Sequence, residues 1–389
     1  MKVALVIFNF ADAKGGVERY CVRFARMLRK HHNDVHVFSA HREDFPKDGF
    51  TFHDVPVTKG WSPLTIKSFA DNSARMLSGE KFDIVHGFSR TYRQDIYRIG
   101  GGSHRTYLAR TRPWTKTALG KLWLNLNPRH RMIFKLEELR YRRENYRRLV
   151  AISRVARDEV VRDFGVPPED IAVIHNAVDA DRFSEEKLSP LREPARREAG
   201  VGGDEILFLF LGTGWQRKGL DRLLEAFASM KEKTEAKLLV AGEGPVNKYA
   251  ALCKRYGIAE RVVFSKPGSA EKFFAAADAF VFPSLHDAFG TVALEAMAAG
   301  LPVMCSATAG SSEVIEDGRD GIVVSDPTET DEITAALGKL LDGDTRSRIG
   351  RAARETARKY SYEENYRRNM EVYKDVLKMK QNDGGAPAR

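Results

Sequence analysis

Apolar and polar positions along this chain follow two rhythms that take turns, and the turns predict a fold. Residues 3–10, VALVIFNF, form an unbroken apolar run, the pattern of a strand covered on both faces. Gly15 and Gly16 follow, and then Val17, Cys21, Phe24 and Leu28 recur at helical spacing. Residues 35–40 and 50–57 predict two more strands, 62–78 a helix, and 82–89 another buried strand. From residue 205 the alternation returns. Strands are expected at 205–212, 237–242, 261–266, 278–284, 301–306 and 321–326. Between the first two, Leu220, Leu223, Leu224, Phe227 and Met230 share one helical face, and a further helix falls near 249–256. Strand–helix alternation of this kind implies parallel βαβ units.

The pattern therefore predicts an α/β protein of two doubly wound, Rossmann-like domains, 1–175 and 176–361. Polar, proline-containing sequence from Asn176 to Glu205 marks the join. A last helix near 362–378, rich in Tyr, Asn and charge, is available to pack back on the first domain. The length of 389 residues fits two domains at roughly 150 residues each. A chain 43% hydrophobic and 30% charged is globular, not disordered; only the tail after Gln381, NDGGAPAR, reads as loose. No run of 18 apolar residues predicts a membrane span. The N-terminal apolar run has no small-residue cleavage site after it, so it reads as a first strand and not as a signal peptide. Cys21, Cys253 and Cys305 are far apart and odd in number, which argues against a disulfide framework and for a reducing cytoplasm.

Charge changes the picture at one place. The net charge is +10, and residues 105–148 alone hold 13 Lys or Arg against three Glu. Tyr107, Trp114, Trp123, Phe134, Tyr141 and Tyr146 are interleaved among these cations. Such an arm suits an anionic cytoplasmic leaflet or a phosphorylated glycolipid. It also admits nucleic-acid binding, since aromatics among cations stack bases; the two-domain sequence around it has no use in such a module, and no nucleic acid is expected.

The chemistry concentrates in residues 280–303, FVFPSLHDAFGTVALEAMAAGLPV. A strand ends at Pro283, a loop carries Asp287, and a helix starts near Thr291 with Glu295 beyond its first turn. Ligands of open parallel sheets bind beyond the carboxyl ends of the strands. The amides of Phe289, Gly290 and Thr291 suit a phosphate, and a carboxylate at 295 suits paired ribose hydroxyls. In GTGWQRKGLDRLL (212–224), Arg217 and Lys218 are expected to open a helix. Cations are disfavoured there unless an anion is present, and a guanidinium fork with an ammonium suits a diphosphate.

With these segments in hand, the chain resembles the family 4 glycosyltransferases of the GT-B fold. The E-x7-E signature of that family aligns with Asp287-x7-Glu295, its basic pair with Arg217-Lys218, its first-loop diglycine with GGVERY, and its domain-linking segment with HNAVDADRF (175–183). AGEGP (241–245) and RVVFSK fit the intervening strands, and GGSHRTYLAR is most similar to the lipopolysaccharide-core glucosyltransferases. The resemblance implies two domains facing across a cleft, with a nucleotide-sugar donor on the C-terminal one. Glu295 would hold the ribose, Arg217 and Lys218 the diphosphate, Gly16 the distal phosphate, and Asp287 the sugar hydroxyls. Asp287 stands where the family has Glu, one methylene longer. His104 would line the cleft and polarise or position the donor sugar, with His86 as its competitor. The resemblance further implies transfer with retention, no catalytic metal and no cofactor. UDP-glucose is the implied donor and a lipopolysaccharide-core or other glycolipid the acceptor. The enzyme would work in the cytoplasm, peripheral to the membrane.

Rival motifs fit less well. GEGPVN lacks the third glycine of a dinucleotide fingerprint, and GTGWQRKG lacks the Lys-Ser or Lys-Thr of a phosphate-binding P-loop. Asp179-Ala180-Asp181 resembles a metal motif but sits in a turn, where capping is the expected duty. No Cys/His spacing of a zinc site is present. A nucleotide-sugar 2-epimerase of the same fold is the nearest enzymatic alternative; the basic pair and the Asp287/Glu295 pair favour transfer.

Overall fold

The N-terminal apolar run forms strand β1, Lys2–Val6. The computed structural model describes all residues except 13–14, 44, 46–47, 204, 231–235, 267 and 384–389, and the side chain of Pro113. Most of the tail expected to be loose thus lies outside the described residues. The chain divides into one unit of Met1–His175 with Tyr362–Arg389, and a second of Asn176–Ser361.

In the first unit β1 is followed by β2 (Asp34–Ser39), β3 (Thr51–Asp54), β4 (Ile84–Gly87), β5 (Ile96–Ile99), β6 (Arg148–Ala151) and β7 (Ile171–Val173). These seven strands form one parallel sheet in the order β3-β2-β1-β4-β5-β6-β7. The order reverses beside β1, the place where doubly wound sheets open a crevice. The helix Gly16–Lys30 buries Tyr20, Cys21, Phe24 and Leu28 on this sheet. The helix expected at 362–378 extends over Tyr362–Asn382 and adds Val372, Tyr373 and Val376 to the same core.

Strands β5 to β7 are not among those expected from the sequence. β5 reads IYRI, and its Arg98 is buried. The guanidinium lies 3.6 Å from the centroid of the Tyr20 ring. A cation–π contact of this kind lets a charged residue occupy a mid-strand position. His86 is likewise a core residue. It is fully buried in β4, its Nδ1 hydrogen-bonds to the Tyr373 hydroxyl at 2.9 Å, and Phe24 and Phe88 pack on the ring. Burial pushes its pKa down to about 3, so it is a neutral packing element.

The second unit repeats the plan with β8 (Ile206–Leu211), β9 (Ala236–Ala241), β10 (Val262–Ser265), β11 (Ala279–Phe282), β12 (Val303–Ser306) and β13 (Ile322–Val324). The sheet order is β10-β9-β8-β11-β12-β13, again all parallel. Leu220, Leu223, Leu224 and Phe227 of the helix Leu220–Ser229 are fully buried on it. All three cysteines are free and buried.

The basic arm is helical: His104–Thr111, a short turn Pro113–Lys116, then Ala118–Leu126 and Pro128–Arg140. Not all of its charge faces outward. Arg140 is buried over the Tyr97 ring at 4.2 Å and donates to the Thr91 carbonyl. Arg147 pairs with Asp95 and Asp383, and Arg148 with Asp170. Part of the local excess is therefore structural and is not reserved for a partner.

Candidate functional site

At the end of β8 the chain turns through 212–219 before the helix Leu220–Ser229 begins. The amide of Lys218 donates to the Gly214 carbonyl at 3.2 Å, and that of Leu220 to the Trp215 carbonyl at 3.0 Å. Trp215 is buried and locks the turn by donating from Nε1 to the Gly212 carbonyl at 2.9 Å. Arg217 and Lys218 thus precede the helix instead of opening it. Gly212 (φ +144°) makes room for the lysine, because a Cβ there would lie 3.0 Å from Lys218 Nζ.

The loop after β11 brings a carboxylate to this pair. Arg217 Nη1 donates to the His286 carbonyl at 2.8 Å and to Asp287 Oδ2 at 2.9 Å. Lys218 Nζ lies 3.5 Å from the same oxygen and 4.4 Å above the Phe282 ring. The Phe289 amide donates to Asp287 Oδ1 at 3.3 Å. The backbone around the acid is fixed on both sides: Asp287 N to Thr308 O, Gly310 N to Asp287 O at 3.0 Å, and Ser311 N to Phe289 O at 2.6 Å. Burial raises the Asp287 pKa, but Lys218 and Arg217, with the Phe289 amide, outweigh it and hold the carboxyl below its ordinary range. For Lys218, burial outweighs the attraction of Asp287 and lowers the pKa.

The helix Thr291–Ala298 starts at Gly290, whose φ is +79°. A Cβ there would stand 2.7 Å from the Phe282 ring, so the glycine is required by conformation and packing inside the protein. The Thr291 hydroxyl accepts from the Asn176 side-chain amide at 2.8 Å. Glu295, one turn on and half-buried, lies within electrostatic reach of Lys218 and Arg182. Asp179 caps the turn Ala180–Phe183 by accepting from the Arg182 amide, the duty expected of it.

The structure therefore brings Arg217, Lys218, Asp287, Phe289, Gly290, Thr291 and Glu295 together beyond the carboxyl ends of β8 and β11. Asp287 engages both cations and Glu295 balances the remaining charge, so the cluster presents two ordered cations beside a helix N-terminus, an arrangement that suits an anion. The Phe289 amide, expected to face a phosphate, is engaged by Asp287.

Gly16 and His104 belong to the first unit. Gly16 is the exposed first residue of the helix Gly16–Lys30, with open space where a side chain would be. His104 is the first residue of the helix His104–Thr111. Ser103 is fully buried, its amide donates to Glu159 Oε2 at 3.1 Å, and its hydroxyl caps the helix that His104 begins. The His104 amide donates to Glu137 Oε1 at 3.0 Å, and its Nε2 lies 2.9 Å from Nδ1 of His130. Burial, then His130, lowers its pKa to about 4, so His104 is neutral at pH 7.

Sequence reasoning missed Phe282 as the floor under Lys218, Trp215 as the lock of the basic turn, and His130 as the partner of His104. The first two are apolar positions indistinguishable from core. His130 lies 26 residues away on another helix, and no local spacing announces it.

Two doubly wound parallel sheets in one chain, the second with a cation pair and a helix N-terminus at its rim, fit the GT-B class of architecture, and the comparisons agree. Residues 14–182 match the family model described as Glycosyltransferase Family 4, and 192–356 match Glycosyl transferases group 1. The chain is 27% identical over 406 residues to an uncharacterised glycosyltransferase of Methanocaldococcus jannaschii, covering 97% of this chain and 99% of the relative. It is 27% identical over 365 residues to the lipopolysaccharide glucosyltransferase WaaG of Escherichia coli, covering 93% and 94%. The crystal structure of WaaG superposes with a TM-score of 0.79 at 24% identity, covering 95% of this chain and 99% of that one. Anabaena HepE in complex with UDP-glucose superposes at 0.73 with 17% identity, covering 96% and 100%. These two superpositions speak for the fold.

The chain belongs to the family 4 glycosyltransferases of the GT-B fold.

Proposed function

We propose that this glycosyltransferase moves a hexose, glucose from UDP-glucose in the first place, onto a lipopolysaccharide-core or similar glycolipid acceptor. Transfer is with retention and without a catalytic metal or cofactor. The observation that carries the reading is the cluster of Arg217 and Lys218 on Asp287 beside the helix that carries Glu295. In this reading the two cations take the diphosphate and Glu295 takes the ribose hydroxyls. Asp287, one methylene shorter than the glutamate of the family, serves first to hold the two cations, because both already engage its Oδ2. The choice of UDP-glucose and of a lipopolysaccharide acceptor is supported by the likeness to WaaG over nearly the whole of both chains.

Contact with an anionic membrane on the cytoplasmic side is part of the proposal. Leu119, Leu122, Trp123 and Leu126 recur at helical spacing on Ala118–Leu126 and are 80%, 55%, 37% and 68% exposed. A helix with an uncovered apolar face and flanking cations suits a headgroup boundary. No described helix is long and apolar enough to cross a membrane.

A thermal-shift panel of UDP-, GDP- and ADP-sugars tests the donor. A ligand at 100 times its dissociation constant stabilises the folded state by about 2.7 kcal/mol. Stabilisation by UDP-glucose, with sugar transfer to a truncated core glycolipid, is expected. Interconversion of UDP-sugars without an acceptor would replace transfer by epimerisation.

A further inference from the structure

The edge of the first sheet carries a second constellation, unrelated to the nucleotide rim. His36 on β2 and His53 on β3 lie diagonally in the parallel register, where His36 pairs with Thr51 and Phe38 with His53. The two imidazoles therefore share a face, and His36 Nδ1 stands 2.8 Å from His53 Nε2. Glu80, in the turn after the helix Ser62–Ser78, brings its carboxylate to the same place. Ligand atoms of His36, His53 and Glu80 all lie within 4.8 Å of one another.

We propose that these three side chains bind a divalent transition-metal ion, of the zinc class. The donor set is two nitrogens and one carboxylate oxygen, the set that suits zinc with a water in the fourth place. Three features prepare it. Asp34 Oδ2 lies 3.1 Å from His36 Nε2, the outer carboxylate that usually fixes the tautomer of a ligating histidine. With the Nε2 hydrogen directed at Asp34, Nδ1 offers its lone pair to the centre. The His53 imidazole is half-buried beside that of His36. Its ring is held in place by stacking on Phe38 with centroids 4.2 Å apart.

The geometry needs little change. Zinc–nitrogen bonds of about 2.0–2.1 Å at a tetrahedral angle separate two ligating nitrogens by roughly 3.3 Å, against 2.8 Å between the rings here. The second change is at Glu80, whose carboxylate is paired with the Lys2 ammonium. An ion must displace that lysine, so Lys2 acts as a built-in competitor. Because β3 is the edge strand of the sheet, the bound ion would tie this edge to its neighbour and to the turn after the helix.

The test uses the full chain without a histidine tag, stripped by a chelator and titrated with Zn2+ by calorimetry and thermal unfolding. One equivalent is expected to bind saturably and to raise the unfolding midpoint. His53→Gln and Glu80→Gln are expected to remove that binding, and Asp34→Asn to weaken it about tenfold, as outer partners do. Lys2→Gln changes no ligand and is expected to tighten it, which keeps the proposal testable should His53→Gln lower stability for other reasons. His130→Gln, in the other histidine pair, is expected to change nothing. Absence of saturable binding near one equivalent, or binding lost in His130→Gln and kept in His53→Gln, overturns the site.

Discussion

Lys218 holds its ammonium 3.5 Å from Asp287 Oδ2 and 4.4 Å above the Phe282 ring. The same oxygen receives Arg217 at 2.9 Å. One acid thus organises two cations that come from a different loop, and the lysine is desolvated from below by an aromatic floor. A charge held in this way is worth more to an incoming anion than a solvated one.

Replacing Lys218 by Met keeps the stem over Phe282 and removes the charge. Asp287 retains Arg217, so no carboxylate is left unpaired, and stability is expected to change by no more than about 1 kcal/mol. Donor-dependent kcat/KM is expected to fall by about 100-fold or more. Initial rates and a thermal midpoint check both; unchanged turnover would remove the lysine from the site. Glu295→Ala is expected to abolish donor use in the same folded background.

Gly290→Ala tests the helix start. The residue has φ +79°, and its Cβ would meet Phe282 at 2.7 Å. A destabilisation of roughly 1–3 kcal/mol is expected, with loss of donor binding because Phe282 supports Lys218. A urea midpoint equal to that of the parent protein would contradict the tight approach.

Glu137 gives a pH signature. The carboxyl is buried, its Oε2 has no hydrogen-bond partner, and burial raises its pKa from 4.5 to about 7 despite Arg140. The folded state therefore keeps a proton that the unfolded chain releases at lower pH. Stability from this group falls as pH rises between about 4.5 and 7 and stays low above that. Glu137→Gln preserves the acceptor for the His104 amide and cannot ionise. It is expected to gain on the parent protein from pH 5 to pH 8, by at most roughly 3 kcal/mol, read from urea midpoints at both pH values. Parallel pH curves for the two proteins would refute the buried proton.

The exposed apolar face of Ala118–Leu126 predicts a separation of binding from folding. Leu119, Leu122 and Leu126 replaced together by Ser remove little buried surface, so the thermal midpoint is expected to hold. Sedimentation with vesicles rich in anionic lipid is expected to be lost. The parent protein is expected to bind such vesicles less as salt rises. Equal binding of parent and variant would place the contact elsewhere.

Much of this was legible in the chain because central parallel strands are written in apolar runs. VALVIFNF and EILFLFLG announce strands, and Lys2–Val6 and Ile206–Leu211 lie in the middle of their sheets, although the first strand stops at Val6 and Asn9–Phe10 pair separately with His41–Arg42. β5 was illegible because Arg98 in a strand is supported by Tyr20, a residue far away in sequence. At the rim, Arg217, Lys218, Asp287 and Glu295 were readable as residue types at given spacings. That Arg217 and Lys218 converge on a single oxygen of Asp287 was not, since it depends on how two βα turns lie side by side. His36 and His53 illustrate the same limit: seventeen residues apart, they meet only through strand register.

The helix Tyr362–Asn382 closes the core of the first unit, with Tyr373 on His86, Lys380 on Asp95 and Asn365 on Tyr20. Its residues follow the whole of the second unit in the chain. On the ribosome, the early lobe must wait with an uncovered seam until the later one has been made. Deletions or stop codons near the C-terminus would consequently injure the N-terminal lobe first, and the order of synthesis is not the order of completion.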